Sequence, residues 1–327
     1  MRRRDFVRFL VGGAIAGPLV ARAQEPGRTY RIGFLLPANR QSAPVLALFD
    51  ELRLNGFIEG QNLIVVSEGF EATDDRLVER AKILLNAKPD LIVTGPELPL
   101  RTLQNLTQTI PLIGMTEDMV GERLVASLAH PGGNITGISL QSLALDGKRQ
   151  DILIEALPGA RRIAAMSDAK VTPRPHLDAL QRAAQSRGIQ VSVFGVGKPD
   201  EIAAAIAAAK AAGAEAANFL ATPLFSLPGT RNFQIVMERI TAVRLPSIFQ
   251  WPETAEAGAV LGYGPRFTDV YRQRALIVAK IFRGANPSDT PVEQPNRYEL
   301  VVNMKAAQAI GSQLANALVL RADKLIE

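Results

Sequence analysis

Tyr30-Arg31-Ile32-Gly33-Phe34-Leu35-Leu36 is a short apolar run that stops at Pro37, and the apolar-periodic stretch Pro44–Asn55 behind it is closed by Gly56. The first reads as a strand and the second as a helix with a glycine stop. The same alternation recurs along the chain. Further strands are expected at Asn62–Ser67, Asp90–Thr94, Pro111–Gly114 and Ile135–Ser139, and helices at Asp75–Asn86 and Met119–Ala129. The second half repeats the rhythm, with strands at Arg162–Met166, Ile189–Phe194, Ala216–Leu220, Pro246–Phe249 and Ala259–Gly262. Its helices are expected at Pro175–Arg187 and Pro199–Ala212, each stopped by a glycine. Strands alternating with helices point to parallel α/β layering. The double set predicts two parallel-sheet Rossmann-like lobes joined by a hinge; one continuous doubly wound sheet is the alternative.

The joints are legible as composition shifts. Ser139–Gly147 leads from the first lobe to the second, with Asp146 expected to cap a helix over Lys148–Leu157. Gly262-Tyr263-Gly264-Pro265 marks a return, followed by a helix over Thr268–Phe282. A strand at Tyr298–Asn303 and a final helix at Met304–Leu320 complete the pattern. The expected division is 24–143 for lobe 1, with a return segment at about 264–290, and 144–263 for lobe 2, with the C-terminal segment 291–327. Several crossings between lobes would make a hinge able to close on a ligand.

Composition excludes much chemistry. The 327 residues contain no cysteine and two histidines, His130 and His176. Thiol nucleophiles, disulfides and cysteine-based metal sites are thereby excluded, and there is little room for a histidine-based metal site or a Ser-His-Asp triad. His130 reads as a loop or capping residue and His176 as a solvated surface residue. No phosphate loop, dinucleotide fingerprint, HExxH or GxSxG is present. No catalytic residue, metal site or cofactor is therefore expected, and the protein is not expected to be an enzyme.

The formal charge of +5 would invite a nucleic-acid partner, but its distribution argues otherwise. Residues 1–23 hold five arginines and one acid, a net of +4, which leaves +1 for the rest. That stretch has a basic start at Arg2-Arg3-Arg4, a short apolar run over Phe9–Val20, and the small-x-small site Ala21-Arg22-Ala23. This order is a secretory signal, expected to be cleaved after Ala23. Arg3-Arg4-Asp5-Phe6 is twin-arginine-like. A periplasmic, monomeric protein without nucleic-acid contacts is expected.

In parallel α/β sheets, ligands bind beyond the carboxyl ends of the strands, where helix N-termini offer free N–H groups. The loops there carry Asn39, Ser42 and Thr94, suited to a carboxylate, and Glu117 or Asp118, suited to an ammonium group. Phe70, Phe225 and Trp251 could wall an apolar part of the ligand. Gly95, Glu97, Ser167, Asp168 and Thr222 share these loops, and Tyr263 sits at the return crossing. Asp118 can alternatively act as a helix cap, Trp251 as lobe core, and Phe225 as packing under its own loop.

Several stretches together carry a family resemblance. They include Arg31-Ile32-Gly33-Phe34-Leu35, Gly56-Phe57-Ile58-Glu59-Gly60-Gln61-Asn62, Asp90-Leu91-Ile92-Val93-Thr94-Gly95 and Leu124-Val125-Ala126-Ser127-Leu128. Others are Pro131-Gly132-Gly133-Asn134-Ile135-Thr136-Gly137, Gly147-Lys148-Arg149, Gly262-Tyr263-Gly264-Pro265 and Val292-Glu293-Gln294-Pro295, with Tyr298-Glu299-Leu300-Val301-Val302-Asn303. Over nearly the whole chain after the signal it resembles the ABC transporter substrate-binding protein family, of the type I periplasmic binding protein fold. The resemblance implies capture of a small organic solute, amino-acid-like or aromatic, and its delivery to the membrane permease of an ABC transporter. Asp118 matches the acid common in the fourth-strand loop of that family. Ser167-Asp168-Ala169, Ala221-Thr222-Pro223 and Glu97 depart from its pattern. A sensing subunit for a chemoreceptor or kinase is the alternative role, and an exported α/β enzyme a third.

Overall fold

The computed structural model describes residues 27–226 and 230–327. The expected export signal over 1–23 lies outside the described residues. The chain forms two α/β lobes, each built on one sheet. Sheet one contains β1 (Tyr30–Leu35), β2 (Leu63–Val66), β3 (Leu91–Thr94), β4 (Leu112–Thr116) and β5 (Ile135–Ser139) in the order β2-β1-β3-β4-β5. All its pairings are parallel. Its helices are α1 (Ala43–Leu54), α2 (Leu77–Asn86) and α3 (Glu97–Leu106).

The second lobe opens with α4 (Ser142–Ala156), β6 (Arg162–Asp168), α5 (Arg174–Gln185), β7 (Gln190–Val196), α6 (Ile202–Ala211) and β8 (Ala216–Phe219). It continues through α7 (Pro223–Ser226), α8 (Arg231–Ala242), β9 (Ser247–Phe249), α9 (Pro252–Glu256) and β10 (Leu261–Gly264). The chain then runs through α10 (Phe267–Phe282), β11 (Glu299–Asn303), α11 (Met304–Ala309), α12 (Asn316–Val319) and β12 (Lys324–Ile326). Sheet two has seven strands in the order β12-β11-β10-β9-β8-β6-β7. Only β10 and β11 pair antiparallel. Two strands beyond the basic five-strand unit thus extend one edge.

The crossings between the lobes are threefold. Leu140 and Gln141 lead from β5 into α4. Pro265 and Arg266 lead from β10 into α10, which packs against α1 and the lobe 1 core. The chain then runs along β5, where Ser139 N–H donates to the Glu293 carbonyl and Glu293 N–H donates to the Gly137 carbonyl, at 2.9 and 2.8 Å. From there it returns to sheet two as β11.

Each sheet is covered on both faces, so each lobe holds two apolar layers. Strands buried on both faces read as continuous apolar runs, which explains sequences such as Leu-Ile-Val in β3. In sheet one the β1 face toward α1 and α10 carries an aromatic cluster. Tyr30 packs 5.3 Å from Phe57 and 4.6 Å from Phe282 between ring centroids.

Three local readings are corrected by the structure. Met119–Ala129 is not a helix but a series of turns. Asp118 Oδ1 accepts the Gly121 N–H at 2.9 Å, and the Arg101 guanidinium takes the Glu122 carbonyl at 2.8 Å, so helical bonding is displaced. Met119, Leu124 and Val125 still reach the core, which is why their spacing imitates a helix. The helix of this region is α3 instead, with Pro99 tolerated in its first turn. Met304–Leu320 is broken into α11 and α12 at Gly311, whose φ of 72° ends a helix without strain. Finally, Asp146 does not cap α4. The helix begins at Ser142, and Asp146 sits inside it, fully buried.

Candidate functional site

The carboxyl ends of both sheets border one cavity of about 650 Å³. Lobe 1 supplies the loop after β1 (Pro37, Ala38, Asn39, Ser42) and the loop after β2 (Glu71, Ala72, Thr73). It also supplies Gly95 and Pro96 after β3, and Met115, Thr116 and Glu117 at the end of β4. Lobe 2 supplies Pro223, Thr230, Gln250, Trp251 and Glu253. The returning helix α10 adds Phe267, Thr268 and Tyr271. This volume lies in the range that holds a small organic molecule.

Local geometry explains several of these positions. Gly95 has φ 137°, and a Cβ there would stand 2.5 Å from the Met115 carbonyl oxygen, so a side chain is excluded where β3 meets β4. Asn39 folds its own loop, accepting the Gln41 N–H at 2.7 Å, and donates to Glu71 at 2.9 Å. Gln250 donates to the Glu117 carboxylate at 3.3 Å. That bond joins the two lobes directly across the cavity. Trp251, Phe267 and Tyr271 form a continuous aromatic wall, with ring centroids 4.6 and 5.0 Å apart along the series.

Behind this wall lies Arg274, fully buried. It donates to the carbonyls of Thr94 and Ile113 at 2.6 and 3.0 Å, and its guanidinium stands 4.9 Å from the Tyr271 ring centre. Burial raises the pKa of the Tyr271 phenol and lowers that of the Arg274 guanidinium. Glu253 is raised as well, mainly by burial, although it accepts the Phe267 N–H at 2.9 Å. Beside the cavity, burial pushes Glu122 up to about 7, while one of its oxygens accepts the Asp118 N–H at 3.1 Å.

Of the residues singled out from sequence, Asn39, Ser42, Gly95, Glu117 and Trp251 line the cavity. The others lie off its lining. Phe70 turns inward and stacks on Phe34 at 4.8 Å, because that face of β1 offers an apolar layer. Thr94 is buried, its hydroxyl donating to the Leu35 carbonyl at 3.1 Å. Glu97 pairs with Arg101 at 2.6 Å, one turn along α3. Asp118 holds the turn at Gly121. Ser167 is buried, and Asp168 accepts the Thr222 hydroxyl at 3.0 Å inside lobe 2. Tyr263 stacks with Tyr298 at 6.4 Å. Phe225 is buried against Phe219 at 5.4 Å. His176 is not a solvated residue: its side chain is 14% exposed and its Nε2 is 3.0 Å from Asp146 Oδ2.

Among the lining residues not named from sequence, two groups stand out. Pro37, Glu71, Pro96 and Gln250 lie in loops that follow strands, loops already pointed out by the carboxyl-end rule. Phe267 and Tyr271 sit on a helix that reaches the cavity only because the chain crosses back, and nothing local in sequence marks them.

Two α/β lobes with one lined cavity between them define a cleft-binding protein of the periplasmic-binding-protein type. The chain belongs to the ABC transporter substrate binding protein family, whose model matches residues 43–326. It is 23% identical over 265 residues to a "Tyrosine-binding protein" of Clostridioides difficile, covering 80% of this chain and 74% of that relative. A conserved domain protein of Vibrio cholerae has the same fold, with a TM-score of 0.78 at 22% identity, over 91% of this chain and 100% of that one. So has a Streptococcus pneumonia ABC domain solved in complex with L-Trp, also with a TM-score of 0.78, at 21% identity and over the same shares of the two chains. The family is a solute-binding receptor type, not an enzyme class. Its members bind small molecules and work with an ABC permease outside the cytoplasm. Among the described residues no helix is long and apolar enough to cross a membrane.

Proposed function

We propose that this chain is the extracytoplasmic receptor of an ABC-type uptake system, binding a small amino-acid-like or aromatic solute between its lobes. The observation that carries this reading is the shared cavity, bordered by both sheets and bridged by the Glu117–Gln250 bond. A ligand touching both walls favours the state in which they meet, and a permease can read that state. The relatives named for tyrosine and solved with L-Trp support the solute class, and the aromatic wall of Trp251, Phe267 and Tyr271 suits it. The basic, twin-arginine-like signal ending at Ala23 supports export to the periplasm, where the protein is proposed to act as a monomer. The lobe division at about 143 and 263, with return segments, is supported by the packing of α10 on α1 and by β11 in sheet two. Asn39, Ser42, Gly95, Glu117 and Trp251 are the proposed contacts, joined by Gln250, Phe267 and Tyr271. The test is thermal unfolding against amino acids, aromatic acids, amines and sugars. At least one compound should raise the midpoint by several degrees, since a ligand at about 100 times its Kd adds roughly 2.7 kcal/mol. A broad library that leaves the midpoint unmoved would overturn the cleft-receptor reading.

A further inference from the structure

We infer that the cavity selects an organic ammonium cation with an apolar body and needs no carboxylate on its ligand; this rests on the receptor reading above. Two features of the wall carry it. Three carboxylates, those of Glu71, Glu117 and Glu253, line the cavity, while no Lys, Arg or His does among the described residues. Next to them stands the aromatic wall of Trp251, Phe267 and Tyr271. Ring faces attract a cation through their quadrupoles, most strongly where water is excluded. Carboxylates and aromatic rings together are the chemistry that holds an ammonium group.

Glu71 accepts from the neutral amide of Asn39, and Glu117 from that of Gln250. Arg266 comes only to 4.0 Å of Glu253, because it is drawn to Glu299 at 2.6 Å and Glu256 at 2.9 Å. Glu253 Oε2 is buried and accepts no hydrogen bond among the described residues. A cation bound there would supply the missing partner and favour the ionised form of this carboxyl, which burial disfavours.

A ligand carboxylate would meet the opposite situation. It would lose hydration beside like charges, with hydroxyls and backbone N–H groups as its donors. The cation nearest the wall, Arg274, is sealed off. It is fully buried, lies outside the lining, and is held by the Thr94 and Ile113 carbonyls.

Isothermal titration calorimetry on the full chain at neutral pH tests this with four probes: tyramine, tyrosine, tryptamine and tryptophan. Each amine is expected to bind about ten-fold or more tightly than the amino acid of the same ring. Glu253→Gln and Glu117→Gln should each weaken amine binding about ten-fold and narrow the preference, with melting curves close to the parent's. Tyrosine or tryptophan binding as tightly as its amine would overturn the inference and leave the receptor reading intact. Amine binding unaffected by both substitutions would overturn the assignment of the cation to these carboxylates. Silence from all four probes would overturn the inference too, while the receptor reading would still be judged by the broad unfolding screen.

Discussion

Among the described residues each lobe buries one arginine completely, and the two are treated in opposite ways. In lobe 2, Arg149 lies 2.5 Å from the carboxylate of Asp146, which also accepts the Ala221 N–H at 3.1 Å and faces His176 at 3.0 Å. The charge is paired, and the cluster ties α4 to the loop after β8 and to α5. In lobe 1, Arg274 has no carboxylate partner among the described residues and donates to the carbonyls of Thr94, at the end of β3, and Ile113, within β4. Glu122, also in lobe 1, is half-buried, with no cation on its carboxyl among the described residues. The lobe 2 cluster is therefore an internal fastening. The lobe 1 groups stand just behind the cavity, where they hold the wall in place.

The largest effect should come from splitting the pair. Asp146→Ala leaves Arg149 charged and buried, and should cost about 3–5 kcal/mol in denaturant unfolding. Arg274→Met keeps the volume and removes the charge, leaving the Thr94 and Ile113 carbonyls short of donors. It should cost less, about 1–3 kcal/mol. Equal losses would break the comparison.

Glu122 sharpens it through pH. In the folded chain this carboxyl keeps its proton up to about 7, against 4.5 ordinarily. Over that interval the folded state binds more protons than the unfolded one, so stability falls as pH rises from about 4.5 to 7. Allowing for partial solvent screening, the loss should be about 2 kcal/mol, and Glu122→Gln should flatten it. Urea unfolding at a series of pH values reads this directly. Unchanged pH dependence in the variant would assign the effect to other groups.

Asp118 gives the smallest effect. Its carboxylate caps a turn and does not reach the cavity lining. Asp118→Ala should cost about 0.5–1 kcal/mol of stability and leave ligand affinity unchanged, checked by unfolding and titration side by side. Lost affinity with intact stability would return Asp118 to the site.

Much of the fold was legible because strand and helix signals are local. Runs such as β3 and the glycine stops after α1, α5 and α6 announce themselves within a dozen residues. The failures share a cause. Met119, Leu124 and Val125 bury apolar side chains from turns, and Met304–Leu320 has a helical composition interrupted by one glycine. In both, tertiary contacts and a single backbone conformation outweigh periodicity. The site was half legible for a related reason. Asn39, Ser42, Gly95 and Glu117 follow strands, and chain order alone places them at the carboxyl edge. Phe70 follows a strand too, yet its ring stacks inward on Phe34, which no spacing could tell.

By itself, the sequence determined the α/β rhythm, the two sets of strands, the absence of thiol chemistry and the basic segment that carries most of the net charge. Each of these is a property of composition or of a short window. Only the tertiary structure decided which loops face one another across the cavity. It also brought Phe267 and Tyr271 to the wall, joined Glu117 to Gln250, and left one buried arginine paired and the other not. Those outcomes depend on where the chain crosses between the lobes and on contacts between residues more than a hundred positions apart, as for Glu117 and Gln250 at a separation of 133.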